Sequence, residues 1–134
     1  MARSNPVVHF EMPYEDRERM VKFYETAFGW KMNKLGPEMG NYVLAQTTET
    51  GEDRMVKTPG NINGGFYNRT PDPSSHAPSI VIEVGDIEAA MKKVVAAGGK
   101  IMSPKPEEIP NVGRWVSFRD SEGTRASMIQ PAKK

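Results

Sequence analysis

An α+β fold made of two tandem βαβββ modules is predicted by three observations in this chain of 134 residues. The first is an internal repeat. Shifting the sequence by 70 positions lays residues 9–32 over 79–102 and matches Asp16 with Asp86, Ala27 with Ala97, Gly29 with Gly99 and Met32 with Met102. The second is a further match at an offset of 73, which sets Gly40, Tyr42, Val43 and Glu49 over Gly113, Trp115, Val116 and Glu122. The third is that both copies read strand, helix, glycine, strand, so a duplicated supersecondary unit accounts for most of the chain.

Each copy opens on a strand. In residues 7–12, Val8, Phe10 and Met12 alternate with His9 and Glu11, so one face packs and the other meets water or ligand. Residues 79–84 repeat this with Ile80, Ile82 and Val84 on the apolar face and Ser79, Val81 and Glu83 opposite. A helix follows in each copy, with Asp16 and Asp86 placed to cap the free amides of the first turn. Val21, Tyr24 and Phe28 recur at helical spacing, as do Ile87, Ala90, Met91, Val94 and Ala97, and these stripes are predicted to cover the strands. Gly29, and Gly98 with Gly99, end the helices because glycine tolerates the left-handed cap.

Short strands are expected to begin near Trp30 and Lys100, and longer ones to cover residues 41–47 and 114–119. Asp120, Ser121, Glu122 and Gly123 read as a hairpin turn with a glycine bulge. Pairing Asp120 with Thr124 sets Ser117 opposite Ser127 and turns Val116, Phe118, Ala126 and Met128 toward the helix. Trp115, Ser117, Arg119, Arg125, Ser127 and Ile129 then face the other way, and by the repeat so do Tyr42, Leu44 and Gln46. Met12, Met20, Met91 and Met128 fall on core faces, which leaves no need for a methionine metal site.

The expected organisation is one domain over residues 1–134, with module one at about 5–68, a linker at about 69–78 and module two at about 79–131. Pro71, Pro73 and Pro78 give residues 70–78 a composition that resists helix and sheet. Residues 103–112, with Pro104, Pro106 and Pro110, read as a second connecting loop. A chain of about 150 residues buries nearly 70% of its unfolded surface, enough for an independent core.

With no cysteine, disulfides, thiolate chemistry and a cysteine zinc site are excluded. Eighteen basic residues against seventeen acidic ones give a net charge of +1, and the basic residues are scattered, which argues against nucleic acid as a partner. No window approaches the roughly 20 apolar residues that span a bilayer, and no basic start precedes an apolar run, so the expectation is a cytoplasmic protein with no membrane partner. Lys133 and Lys134 read as a solvated, frayed terminus.

His-Phe-Glu-Met at residues 9–12, Phe23-Tyr24 followed by Phe28-Gly29-Trp30, Ala97-Gly98-Gly99, and the run from Phe118 through Arg119, Asp120, Ser121 and Glu122 to Gly123 together resemble the vicinal oxygen chelate superfamily. That superfamily includes glyoxalase I, bleomycin resistance proteins and extradiol dioxygenases, and the similarity is to its glyoxalase-related proteins of unassigned function. The resemblance implies a pseudo-twofold repeat of modules whose mixed sheets curl around a concave cleft, often in a homodimer. It also implies a divalent metal held by His and Glu side chains from both modules, acting as a Lewis acid with open positions.

By this resemblance His9 takes the first-strand ligand position, Ser79 its repeat partner, Ser127 the last-strand position, and Gly64 or Gly65 the remaining one. An imidazole with two serine hydroxyls is a poor set for zinc, nickel or iron. Glu11 stands about 6 to 7 Å along its strand from His9, too far by spacing alone to complete the set. The metal site is therefore expected to be degenerate, with no cofactor and His9 as its one surviving ligand.

The leading expectation is a glyoxalase-like protein that binds a small molecule of unknown identity, its cleft lined by His9, Glu11, Tyr42, Trp115, Ser117 and Ser127. Whether it catalyses a reaction stays open. His9 and Glu11 are the acid or base candidates, since the charge of an imidazole changes near neutral pH, and Glu11 has ion pairing, for example with Arg119, as its plainer role. Tyr42 and Trp115 serve equally as pocket walls or as packing. His76, in the linker, reads as a surface residue. The rival reading is a metal-dependent lyase, isomerase or dioxygenase with ligands elsewhere or from a partner subunit, and a third is a protein that only assembles.

Overall fold

The structure is a computed structural model that describes residues 4–53 and 55–132. Lys133 and Lys134, read above as a solvated tail, lie outside the described residues. The fold is α+β and consists of two compact units, one of His9–Pro78 and the other of the described residues of Met1–Val8 and Ser79–Lys134.

In the first module β1 (Val7–Tyr14) is followed by α1 (Arg17–Phe28), β2 (Lys31–Lys34), β3 (Val43–Gln46) and β4 (Gly64–Asn68). The strands lie in the order β2-β3-β4-β1, antiparallel except for the parallel pair of β4 with β1. The second module runs β5 (Ser79–Glu83), α2 (Ile87–Ala96), β6 (Lys100–Ile101), β7 (Glu107–Ile109), β8 (Gly113–Arg119) and β9 (Arg125–Pro131). Its order β6-β8-β9-β5 reproduces the first, again with one parallel pair, β5 with β9. The predicted βαβββ unit is thus present twice.

The second copy has one strand more. β7 pairs with β8 in residues expected to form only a loop, with Glu107 opposite Trp115 and Ile109 opposite Gly113. It fits between Pro106 and Pro110 because three residues suffice to hydrogen-bond an edge that β6 leaves open. The linker likewise contains one 3-10 turn, Pro73–His76, in which Asp72 caps the Ser74 amide at 2.9 Å and the buried Ser75 hydroxyl bonds back to Thr70 and Asp72.

Both helices start as the sequence predicts. The Asp16 carboxylate accepts from the Arg19 amide and the Asp86 carboxylate from the Ala89 amide, each at 3.1 Å. α1 ends on Gly29 at φ 70°, while α2 ends on Ala97 at φ −88° and the left-handed residue is Gly98.

The core forms separately in each module. In the first, Tyr14, Val21, Val43, Ala45 and Phe66 are buried, with Phe10, Met12, Met20, Tyr24, Trp30 and Met32 packed against them. In the second, Val84, Ile87, Val116, Phe118 and Met128 are buried under Ile82, Ala90, Met91, Val94, Ile101 and Ala126. The stripes are shorter than their spacing suggests: Phe28, the last residue of α1, is 63% exposed, and Ala97, the C-cap of α2, is exposed. On β5 the core reaches only Ile82, leaving Ile80 42% exposed, whereas Val81 on the opposite face is buried beside Ser127.

The register of the parallel pairs positions the candidate residues. Glu11 lies opposite Gly65 and Val81 opposite Ser127, while Leu44 and Ser117 flank Gly65 and Ser127 from the antiparallel side. Gly65 therefore holds in the first module the place that Ser127 holds in the second. Among the described residues no helix is long and apolar enough to cross a membrane.

Candidate functional site

His9 and Glu11 project from one face of β1, as residues two apart on a strand must. Tyr42 comes to them from the turn before β3. Pro37–Met39 forms a 3-10 turn, and Gly40 and Asn41 follow at φ 66° and 56°. The Tyr14 hydroxyl donates to Asn41 O at 2.7 Å and the Leu35 amide to Tyr42 O at 2.8 Å, which fixes the backbone on both sides of the tyrosine. β3 begins two residues later than expected because Asn41 is spent on this turn and Tyr42 on leaving it.

The Tyr42 side chain then extends across β4. Gly65 leaves room for it: a methyl group at position 65 would overlap the Tyr42 ring and hydroxyl. The hydroxyl ends between the two β1 residues, 3.2 Å from His9 Nε2 and 3.2 Å from Glu11 Oε2. Both side chains reach this one oxygen, and two contacts of 3.2 Å are compatible with the strand spacing expected between His9 and Glu11.

The Tyr42 hydroxyl donates a hydrogen bond to the Glu11 carboxylate, and in the Nε2–H tautomer of a neutral ring His9 donates to Tyr42 Oη. Burial lowers the His9 pKa to about 4, against the ordinary 6.5. The ring is accordingly uncharged at neutral pH, which corrects the expectation of a charge change there. Burial, and next the negative charge of Glu11, push the Tyr42 phenol far above the usual tyrosine range. Glu11 is 8% exposed, and a carboxylate so placed relies on such a donor.

In the second module Ser117 and Ser127 face each other across β8 and β9, with Trp115 two residues up the same side of β8. The predicted register holds. Ser127 has no exposed surface and Ser117 has 9%, so either hydroxyl reaches a ligand only if its neighbours move. Arg119 donates from Nη1 to Gly123 O at 3.1 Å. His76 is exposed and its Nε2–H donates to Thr70 O at 2.7 Å, as suits a linker residue.

One feature of the second module is absent from the sequence reading. A half-open groove of about 570 Å³ runs between α2 and residues 104–108, lined by Met91, Lys92, Pro104, Lys105 and Pro106, with Arg114 at its side. Arg114 Nη2 lies 2.8 Å from Glu88 Oε1, and its Nε lies 3.0 Å from Glu108 Oε1 but off the line of the N–H. This guanidinium ties the helix to β7. The acidic and basic residues at these positions give no local signal, because their pairing depends on β7.

Among the described residues no three His, Cys, Asp or Glu side chains come together as a metal-holding group. Gly65 offers no side chain where Ser127 offers a hydroxyl, and the His9 and Glu11 donors both engage Tyr42.

The chain matches the family model described as Glyoxalase/Bleomycin resistance protein/Dioxygenase superfamily over residues 7–128. It is 30% identical over 126 residues to a glyoxylase-like domain-containing protein of Didymella fabae, covering 92% of each chain. Among solved structures it superposes on methylmalonyl-CoA epimerase of Streptomyces coelicolor in complex with 2-nitronate-propionyl-CoA, with a TM-score of 0.68 at 13% identity over 95% of this chain and 97% of that one. It is similar also to methylmalonyl-CoA epimerase of Mycobacterium tuberculosis, with a TM-score of 0.65 at 14% identity over 99% and 94%. The structural likenesses speak to the fold, and the sequence matches carry the assignment: this chain belongs to the glyoxalase, bleomycin resistance protein and dioxygenase superfamily.

Proposed function

We propose that this protein binds a small organic molecule at the His9, Glu11 and Tyr42 cluster and does so without a tightly held metal. Trp115, Ser117 and Ser127 are the corresponding polar face of the second module in this reading. The observation that carries it is the Tyr42 hydroxyl, which sits in hydrogen-bond contact with both donors a cation would need. Superfamily membership supports a small molecule as the ligand class, and the acyl-CoA analogue in a structural neighbour agrees with it. A neutral imidazole, a protonated phenol and a shielded carboxylate suit a ligand recognised by hydrogen bonds rather than by charge. A homodimer belongs to the same reading and is checked by sedimentation.

The second reading, a metal-dependent lyase, isomerase or dioxygenase, draws on the convergence of His9 and Glu11 on one point. Elemental analysis of the purified protein separates the two. The binder reading expects far less than one equivalent of nickel, zinc, iron or manganese, together with a small-molecule hit in a thermal-shift screen that survives exhaustive chelation and weakens in Tyr42→Phe. One equivalent of metal that disappears in His9→Ala overturns it.

A further inference from the structure

The groove between α2 and residues 104–108 lies wholly within the second module and plays no part in the function proposed above. We infer that it is a separate binding site, for a small organic anion with an apolar body. Its volume of about 570 Å³ falls inside the range of about 300–1,000 Å³ that small-molecule pockets occupy.

Arg114 sorts the charge at this groove. Three cations and two carboxylates line it, and the guanidinium holds both carboxylates, Glu88 at 2.8 Å and Glu108 at 3.0 Å. Lys92 follows Glu88 by four residues on α2, the spacing at which helical ion pairs form, yet Glu88 turns to Arg114 instead. Among the described residues no carboxylate forms an ion pair with Lys92 or Lys105. Two ammonium groups thus border the groove, one on the helix and one on the loop, and an anion entering it supplies the charge that both lack.

The apolar lining comes from Met91 on the helix and from Pro104 and Pro106 on the loop. Met91 and Pro106 are half-buried, and the unbranched thioether of Met91 adapts to the shape of what it touches. The loop wall is fixed before any ligand arrives. Each proline sets its own φ, the Ser103 hydroxyl donates to Lys105 O at 3.1 Å, and Glu107–Ile109 is paired to β8. A wall held in this way loses little freedom on binding.

The test is titration of octanoate, below its micelle concentration, into the nitrogen-15-labelled protein, followed by amide shifts. The expected shifts saturate and centre on Met91, Lys92, Lys105 and Glu108, and they persist in Tyr42→Phe. Affinity is expected to rise at least about twofold per added methylene from hexanoate to decanoate. It is expected to fall at least about fivefold in Lys92→Gln/Lys105→Gln, and by as much when the uncharged octyl glucoside replaces octanoate. Octyl phosphate is expected to move the same amides, since either anionic head meets the two lysines. Unmoved groove amides overturn the inference, as does an affinity indifferent to the two lysines or equal for octyl glucoside. The chain-length series on wild type tests it without any variant, and an affinity that does not rise with length overturns it. Loss of the shifts in Tyr42→Phe places octanoate in the first module, and groove shifts that appear on concentrating the protein alone identify the occupant as a second copy of the chain; either result overturns the inference.

Discussion

Gly65 of β4 lies directly beneath the phenol of Tyr42, close enough that a single methyl group at position 65 would overlap the ring. The two residues are adjacent through pairing, since Gly65 sits between Glu11 of β1 and Leu44 of β3. Gly65→Ala is expected to push the hydroxyl away from His9 and Glu11 and to destabilise the fold by about 1–3 kcal/mol, the usual range for overpacking. Denaturant midpoints give the loss. A changed Tyr42 ring environment in proton NMR shows its cause, and an unchanged one contradicts the packing described here.

Removing only the Tyr42 oxygen isolates the hydrogen bonds from the ring. Tyr42→Phe leaves the buried Glu11 carboxylate without this donor, and hydrogen bonds to charged groups contribute about 1.5–3 kcal/mol. In a double-mutant cycle with Glu11→Gln, the paired loss is expected to be smaller than the sum of the single losses, since the second change removes the charge that the first exposes. Additive losses argue that the two side chains do not interact.

These residues also show how much the sequence disclosed. His9, Glu11 and Tyr42 stood out one by one, from strand alternation and from the match of Tyr42 with Trp115. Their meeting was not legible, because it depends on Gly65 being the residue between β1 and β3, and register between strands that distant leaves no local trace. Where a turn fixed register locally, as Asp120 and Gly123 do for β8 and β9, the pairing of Ser117 with Ser127 could be read in advance. β7 was hidden for the opposite reason. Glu107–Ile109 becomes a strand only because β8 offers it an open edge.

The buried imidazole sets a pH dependence. Unfolded His9 has the ordinary pKa of 6.5 and folded His9 one of about 4, so between these values the unfolded chain binds more protons. The stability from keeping the ring neutral is therefore complete above pH 6.5 and is lost progressively as pH falls to about 4. The shift corresponds to at most about 3 kcal/mol, and less in practice because part of the ring remains in water. Urea unfolding of wild type between pH 7 and pH 4 is expected to show a slope that His9→Gln lacks over the same window. Equal slopes in the two proteins contradict this account of His9.

The repeated caps are expected to act alike. Asp16→Ala and Asp86→Ala each remove one carboxylate acceptor at 3.1 Å from a first-turn amide, a change that costs about 1 kcal/mol. Thermal or denaturant unfolding of the two variants checks whether the copies remain energetically equivalent at this position. A loss in one and not the other shows that the duplicated sequence no longer carries a duplicated role.

The aromatic residues of the first module separate burial from spacing. Phe66 is 1% exposed and its ring lies within 5.1 Å of Tyr24, 6.3 Å of Phe10 and 6.4 Å of Trp30, between centroids. Phe28 falls on the helical stripe of α1 by spacing, yet it is 63% exposed. Phe66→Ala is expected to destabilise by about 3–5 kcal/mol, because transfer and cavity terms add in a packed core. Phe28→Ala leaves no cavity and is expected to stay within about 0.5 kcal/mol, apart from its stacked contact with Tyr24, its tilted contact with Trp30 and its edge contact with Phe23. Chemical denaturation of both variants measures the contrast. A large loss at Phe28 would mean that something covers the exposed end of α1 in solution, and the same loss at higher protein concentration but not at lower would identify that cover as a second copy of the chain.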